Sequence, residues 1–464
     1  MPRVNEDGLR ASEEKMRAAG AADPAIAHFR HYYRQLAAGE EGLLSESALE
    51  PVTELPEIDD LEVDAATRRD ALDRVVILKV NGGLGTSMGL STAKSLLEVR
   101  DGLTFLDVIA QQTFEMRRRE GARLPLVLMN SFRTREGSLA ALARYEELSV
   151  DVPLDFLQNR IPKIAVDDLH PVSWPANPEL EWCPPGHGDV YTALVTSGML
   201  DELLANDYAY AFVSNADNLG AALDPRILTW MAREEIPFVS EQCERTPADR
   251  KGGHLAQSEG RLVLRETAQT PDADRAAFED VERHRFFNTN NLWVDLRALE
   301  DLLARRDGVL GLPMIRNRKT VDPADSSSPP VYQLETAMGA ALGVFEGARA
   351  VLVPRGRFTP VKTTNDLLGL RSDAYVIDER RQVVVSPERT RGPLFVDLDP
   401  DSYKLLPGFE ERFPQGSPSL VDCDRLAVQG DVEFGRGVVA RGRVEIDRSG
   451  QGRTRIEDGA VLEG

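Results

Sequence analysis

Long apolar runs are missing from this chain of 464 residues. No stretch approaches the roughly 20 residues that a membrane-spanning helix requires. The opening residues, Met1-Pro2-Arg3-Val4-Asn5-Glu6-Asp7, have no apolar core of the kind a secretory leader carries, so none is expected. Cysteine is scarce too. Cys183, Cys243 and Cys423 show neither metal-binding nor redox spacing, which suits a reducing cytoplasm and structural roles. Positive charge is in deficit, and a net charge of −21 argues against nucleic acid and anionic membranes as partners. Lysine is scarcest among the cations: 47 of the 55 basic residues are arginine and 8 are lysine. Where arginine is so favoured, a lysine beside an unusual motif points to a need for a compact, mobile point charge. Lys94, Lys163, Lys251 and Lys362 lie in such places.

The strongest local signal is Val75-Val76-Ile77-Leu78-Lys79-Val80 running into Asn81-Gly82-Gly83-Leu84-Gly85-Thr86-Ser87-Met88-Gly89, with Lys94-Ser95 just beyond. A β-branched apolar run reads as a buried strand, and the glycines let bare backbone approach a phosphate or a base. Two familiar loops are excluded. After Gly83-x-Gly85 the next glycine is Gly89, one position too late for a dinucleotide fingerprint, and Ala93 stands where a P-loop has glycine before its Lys-Ser. What remains is a ligand-binding strand end or a plain tight turn.

The chain is too long for a single core, and three regions can be distinguished. Residues 1–70 are predicted to be helical, above all Ala22 to Leu36, without strand signals. In 71–400, strand-like runs (Val75–Val80, Leu124–Met129, Tyr210–Val213, Phe238–Ser240, Leu262–Leu264, Ala350–Val353) alternate with helical patterns. The helical patterns lie at Leu106–Glu120, Leu139–Leu148, Val190–Leu204, Pro225–Glu235 and Leu334–Phe345. This alternation predicts an α/β core with a largely parallel sheet. The remainder, 401–464, turns glycine-rich, and Val432, Val438 and Val444 recur at six-residue spacing. That is the pattern of short β-helix coils, with an antiparallel meander as the alternative. So few coils must lean on the core or on another subunit.

Other segments carry chemistry. His187 sits between Gly186 and Gly188 before a helical pattern for which Asp189 is a plausible N-cap. The strand Tyr210–Val213 leads to Ser214-Asn215-Ala216-Asp217, where an Asp at a strand end either helps hold Mg²⁺ or makes an Asx-turn. Asn288, Asn290 and Asn291 offer paired donors and acceptors to sugar hydroxyls ahead of an apolar strand. Lys362 lies between Pro360 and a Thr363-Thr364-Asn365 cap.

Together these segments resemble the eukaryotic-type UTP–glucose-1-phosphate uridylyltransferases. The similarity rests on VNGGLGTSMG, TFLDV, MNSFRT, QNRIPKI, PPGHGDVY, NADNLGA, FNTNNLWV, QLETAMGAA and FTPVKTTNDLL, in the family's order from Val75 to Tyr403. The Asn81-Gly82-Gly83 start, rather than Ala-Gly-Gly, resembles the glucose enzymes more than those acting on N-acetylhexosamine phosphates. The resemblance implies a Rossmann-like, glycosyltransferase-A-like nucleotidyltransferase core and a C-terminal left-handed β-helix.

By the same resemblance, Val80, Asn81, Gly82 and Gly83 would wrap UTP, and Gly83 would also meet the sugar phosphate. Gln158 and Gly186 would read uracil, while Asn215 and Asp217 would contact the nucleotide, with Asp217 on Mg²⁺. His187, Glu266, Asn290 and Glu335 would hold glucose 1-phosphate, and Lys94 and Lys362 would be the catalytic cations. Ala93 replaces the family's usual proline before Lys94. A homo-oligomer formed through the β-helix is a further expectation. Two other classes stay open: an enzyme for galactose or N-acetylglucosamine 1-phosphate, and a non-catalytic sugar-nucleotide binder. An interaction protein working through its tail is a third.

Overall fold

A computed structural model describes residues 5–464. Its centre is a ten-stranded mixed sheet, whose strands are numbered here in chain order. They are β1 (Glu50–Pro51), β2 (Val75–Asn81), β3 (Leu126–Asn130), β4 (Asp155–Leu157), β5 (Tyr210–Asn215), β6 (Phe238–Glu244), β7 (His254–Ser258), β8 (Arg261–Arg265), β9 (Phe286–Asp295) and β10 (Arg349–Leu352). β4, β3, β2 and β5 lie side by side and all parallel. β9 runs antiparallel to β5 and to β6, and β6 is parallel to β10. Val75, Val76 and Leu78 are fully buried, as a strand covered on both faces requires.

The chain order explains where a ligand can go. From β2 the chain crosses by the helix Phe105–Glu120 to β3 and then β4, stepping away on one side. It then returns over β2 to form β5 on the other side. The loops leaving β2 and β5 therefore diverge, and a crevice opens at their carboxyl ends. Val80 and Asn215 are register partners at that edge.

Several local expectations are corrected. Leu334–Phe345 is not a helix. Its first three residues end the strand Pro330–Thr336, paired with Met314–Thr320, and Met338–Gly343 form a 3₁₀ segment. Sheet pairing overrode the helical propensity of the Ala- and Leu-rich run. The segment Val190–Leu204 is two helices, Val190–Thr196 and Met199–Ala205, broken at Gly198 with φ +76°. Leu139–Leu148 is the helix Arg135–Leu142 followed by a 3₁₀ turn, Glu146–Leu148. The amide run lies inside β9, not ahead of a strand. The N-terminal stretch, expected to lack strands, supplies β1.

The helix Asp23–Ala37 places Ile26, Phe29, Tyr33 and Leu36 on one stripe, the spacing that buries a helix face. That stripe packs on Ile161, Ile164, Cys183, Met314 and Leu334, beneath loops that reach the crevice. At the other end of the chain, Phe395–Leu398, Cys423–Gln429, Val439–Asp447 and Val461–Glu463 form a parallel ladder, and Val432–Phe434 pairs in parallel with Thr454–Ile456. Leu426 faces Val444, 18 residues on, which is three of the six-residue intervals in the sequence. Val432, Val438 and Val444 are buried, whereas Val461 is exposed. Parallel pairing rules out the meander. Leu426, Phe434 and Val438 belong to the same buried cluster as Ile77, Phe212 and Trp293, so this coil leans on the core.

Candidate active site

The glycine-rich turn after β2 folds back on itself: Leu84 bridges Ala93, and the Lys94 N–H donates to the Gly83 carbonyl at 3.2 Å. This brings the Lys94 ammonium across the crevice to the Asp217 carboxylate, 2.7 Å away and only partly screened by solvent. Asp217 follows β5 in a turn in which the Asn218 N–H donates to the Asn215 carbonyl. The Val361 N–H donates to the Asp217 carbonyl at 3.2 Å, and Asn218 bridges Pro360. The segment carrying Lys362 is thereby stitched to the β5 loop. Ser87 in the glycine-rich turn donates to the Lys362 carbonyl at 3.4 Å. Lys362 itself is exposed, its ammonium 5.8 Å from the Phe358 ring.

The Asn81 side chain is committed within the protein. Its carboxamide is buried and donates to Asn130 Oδ1 at 2.7 Å and Ser138 Oγ at 2.8 Å, so it anchors β2 to β3. Only its backbone is left to meet a ligand. Gly82 packs on Gln158: a Cβ there would lie 2.3 Å from Gln158 Oε1. Nothing lies within 4 Å of a Cβ at Gly83, which leaves its face open.

Gly186 has φ +80°, and a Cβ there would come 2.5 Å from the Thr336 carbonyl oxygen and 3.0 Å from Glu335 Cβ. Glycine is required on both counts. The Thr336 N–H donates to the Pro185 carbonyl, which seats Glu335 against this loop. The Met338 N–H donates to His187 Nδ1 at 3.0 Å. Nδ1 is therefore the acceptor and Nε2 carries the proton, leaving one donor for a ligand. Burial pushes this imidazole down to about 4, so it is neutral at physiological pH. Asp189 does not cap its helix as expected. Its buried carboxylate accepts from the Asn159 N–H at 2.7 Å and from Asn159 Nδ2 at 2.9 Å, bracing the chain next to Gln158.

On the opposite wall, Asn290 has a positive φ of 56°, held by its N–H bond to Asn288 Oδ1, while Asn288 Nδ2 donates to Asn290 Oδ1. Gly339 approaches this amide pair, a Cβ there lying 2.9 Å from Asn288 Nδ2. Glu266 stands against Gly253, and burial raises its carboxyl above the ordinary value, opposed by Asn288 and the Lys362 charge. Sequence reasoning missed the supporting roles of Asn288 and the Met338 N–H. The Gly252-Gly253 pair beside Lys251 was the available signal for the approach to Glu266.

Among the described residues no group of three or more His, Cys, Asp or Glu side chains could hold a metal. Asp217 is a single carboxylate with one oxygen on Lys94, a set that suits an ion bound mainly by substrate phosphates.

The family model for UTP–glucose-1-phosphate uridylyltransferase matches residues 26–441. The chain is 41% identical over 404 residues to the UTP–glucose-1-phosphate uridylyltransferase of Solanum tuberosum, covering 87% of this chain and 83% of that one. It is 39% identical over 393 residues to the one of Saccharomyces cerevisiae, covering 84% and 77%. The crystal structure of a mutant UDP-glucose pyrophosphorylase from Leishmania major in complex with UDP-glucose superposes with a TM-score of 0.93 at 46% identity, covering 98% of both chains.

Proposed function

Because the chain belongs to the UTP–glucose-1-phosphate uridylyltransferase family, we infer that it makes UDP-glucose and pyrophosphate from UTP and glucose 1-phosphate. A phosphate oxygen of glucose 1-phosphate attacks the α-phosphorus of UTP in line. The bond from that phosphorus to the bridging oxygen breaks, and pyrophosphate departs with the electron pair. The observation that carries the reading is the Lys94–Asp217 pair lying at the β2/β5 crevice, with the Lys362 segment bonded to the Asp217 turn. Two polyanions must meet there, so neutralisation and alignment outweigh covalent catalysis.

The bare backbone from Val80 to Gly83, with Gln158 and Gly186, forms the uridine wall. Asn215 and Asp217 take the phosphate side. His187 Nε2 donates to a phosphate oxygen of the sugar, and Glu266, Asn290 and Glu335 take its hydroxyls. Lys362, exposed and mobile, follows charge onto the leaving group, while Lys94 leaves Asp217 for the triphosphate when UTP enters. Asp217 would hold Mg²⁺, which when bound would supply further neutralisation of the phosphates.

The same reading takes 1–70, 71–400 and 401–464 as the three units, the last a left-handed β-helix. It gives the protein a cytoplasmic setting, which three buried, unpaired cysteines support. It also lets copies associate through that β-helix, whose last strand exposes Val461. A panel of UTP with glucose, galactose and N-acetylglucosamine 1-phosphates, followed by pyrophosphate release, tests the activity. Glucose 1-phosphate is expected to give the highest kcat/KM by at least tenfold. Equal rates across the panel, or none, would refute the reading.

A further inference from the structure

Glu241, in β6, is fully buried. Both carboxylate oxygens are saturated: Trp293 Nε1 donates at 2.9 Å and Asn291 Nδ2 at 3.0 Å, while Arg357 grips both oxygens, Nη2 at 2.6 Å and Nε at 2.7 Å. Arg357 does more than neutralise it. Its Nη2 also donates to the Ala222 carbonyl at 2.8 Å, and its own carbonyl accepts from Asn218 Nδ2 and Asn291 Nδ2, each at 3.1 Å. Asn218 Oδ1 in turn accepts the Thr359 N–H at 2.9 Å. Lys79, equally buried, donates to the neighbouring Ala221 carbonyl at 2.7 Å. The two backbones are pressed together here, since a Cβ at Gly220 would lie 2.2 Å from the Gly356 carbonyl oxygen. Three of these bonds, from Arg357 to Ala222, from Asn218 to Arg357 and from Thr359 to Asn218, join the turn after Asp217 to the segment before Lys362.

We propose that the buried Glu241–Arg357 pair is a positioning clamp that sets Lys362 against Asp217 for phosphoryl chemistry. The inference rests on the roles given to those two residues above. Stability gives little reason for such a pair, because a buried ion pair replaced as a unit by apolar groups is often neutral or stabilising. A two-pronged guanidinium–carboxylate contact fixes orientation as well as charge, which a lysine in place of Arg357 could not do. Misplacing a catalytic group by about 1 Å can cost on the order of 10²-fold in rate.

The test compares Glu241→Gln, Arg357→Lys and the double variant Glu241→Gln/Arg357→Met with wild type, using UTP and glucose 1-phosphate and scaling turnover to the folded fraction. The double variant carries the test if the single ones fail to fold. A fall of tenfold or more in kcat, with both KM values within about threefold, is the expected result. A kcat per folded molecule within threefold of wild type in the double variant would overturn the clamp, leaving the pair a structural contact. Lys362→Ala, assayed in parallel, separates the two inferences. If it turns over normally, the assigned site is wrong. If it is inactive while the clamp variants run at full rate, only the clamp fails.

Discussion

Lys362→Ala is the most exacting perturbation, because the structure separates its effect on rate from its effect on folding. The side chain is exposed and rests near Phe358, while the backbone N–H of Lys362 is what bonds Asp366 Oδ2, at 2.8 Å. The adjoining capping box, Thr363 with Asp366, closes the start of the helix Thr364–Arg371 without help from the ammonium. Truncation should therefore leave stability within about 0.5 kcal/mol of wild type, as for exposed positions free of special contacts. The rate is another matter. A unit charge about 4 Å from another at an effective dielectric near 20 contributes roughly 4 kcal/mol. Loss of one preorganised charge-stabilising group costs about 10²- to 10³-fold in turnover. Pyrophosphate release at saturating UTP and glucose 1-phosphate, beside a thermal melt, measures both. Lys362→Arg should also lose most activity, since a planar fork does not replace a compact charge. Near-wild-type turnover in both variants would refute the assignment of Lys362.

Three further outcomes follow from the geometry. Gly186→Ala adds a Cβ 2.5 Å from the Thr336 carbonyl at φ +80° and ψ 173°, so it should lose about 1–3 kcal/mol for the backbone alone and raise the KM for UTP at least tenfold; unchanged melting and KM would contradict the tight seat of that loop. His28 is buried and its pKa is lowered to about 4 by burial, with a smaller contribution from His31. The unfolded chain therefore binds its proton first, and stability falls as pH drops from about 6.5 to about 4, by up to about 3 kcal/mol from this group; Tm against pH should be flatter in that window for His28→Gln, and equal slopes would contradict it. Deleting Leu426 to Gly464 should cost folding and not merely assembly, because Leu426, Phe434 and Val438 share a buried cluster with Trp293; a truncated chain with wild-type Tm and turnover would show that packing to be dispensable.

What could be read from the sequence followed the range of the forces involved. The strand β2 and its glycine turn were legible because a β-branched run and bare backbone act within a few residues. The buried series Val432, Val438 and Val444 was legible because its six-residue period is local. The 3₁₀ segment Met338–Gly343 was not, since pairing between Pro330–Thr336 and Met314–Thr320 overrode a helical composition. Gly198 could have been read as a break and was passed over. Asn81 was assigned to ligand by its place in the motif, which says nothing of its side-chain amide, spent on Asn130, 49 positions away. The same holds for Lys94 and Asp217, 123 positions apart. Spacing cannot reveal such pairs: the first exists because β3 lies beside β2, the second because the crossover sets β5 on the other side of β2.

The unequal use of arginine and lysine now has a structural sense. A chain of net charge −21 must neutralise many carboxylates and still receive polyanions. Arginine takes the first task where direction matters: Arg357 on Glu241, Arg265 on Glu46 and Asp274, Arg355 on Asp249. Each is a fork committed to fixed acceptors. Lysine is found where the charge must be small or free to move. Lys79 and Lys163 are buried and donate to backbone carbonyls. Lys94 holds Asp217 by one contact that an incoming triphosphate can outcompete, and Lys362 stands exposed. An arginine at Lys94 could bind Asp217 through two parallel bonds, a stronger and more directional contact that would resist release. The same preference that stiffens the scaffold would therefore lock the site, and under the roles proposed for Lys94 and Lys362 lysine is the cation that lets the anions change partners.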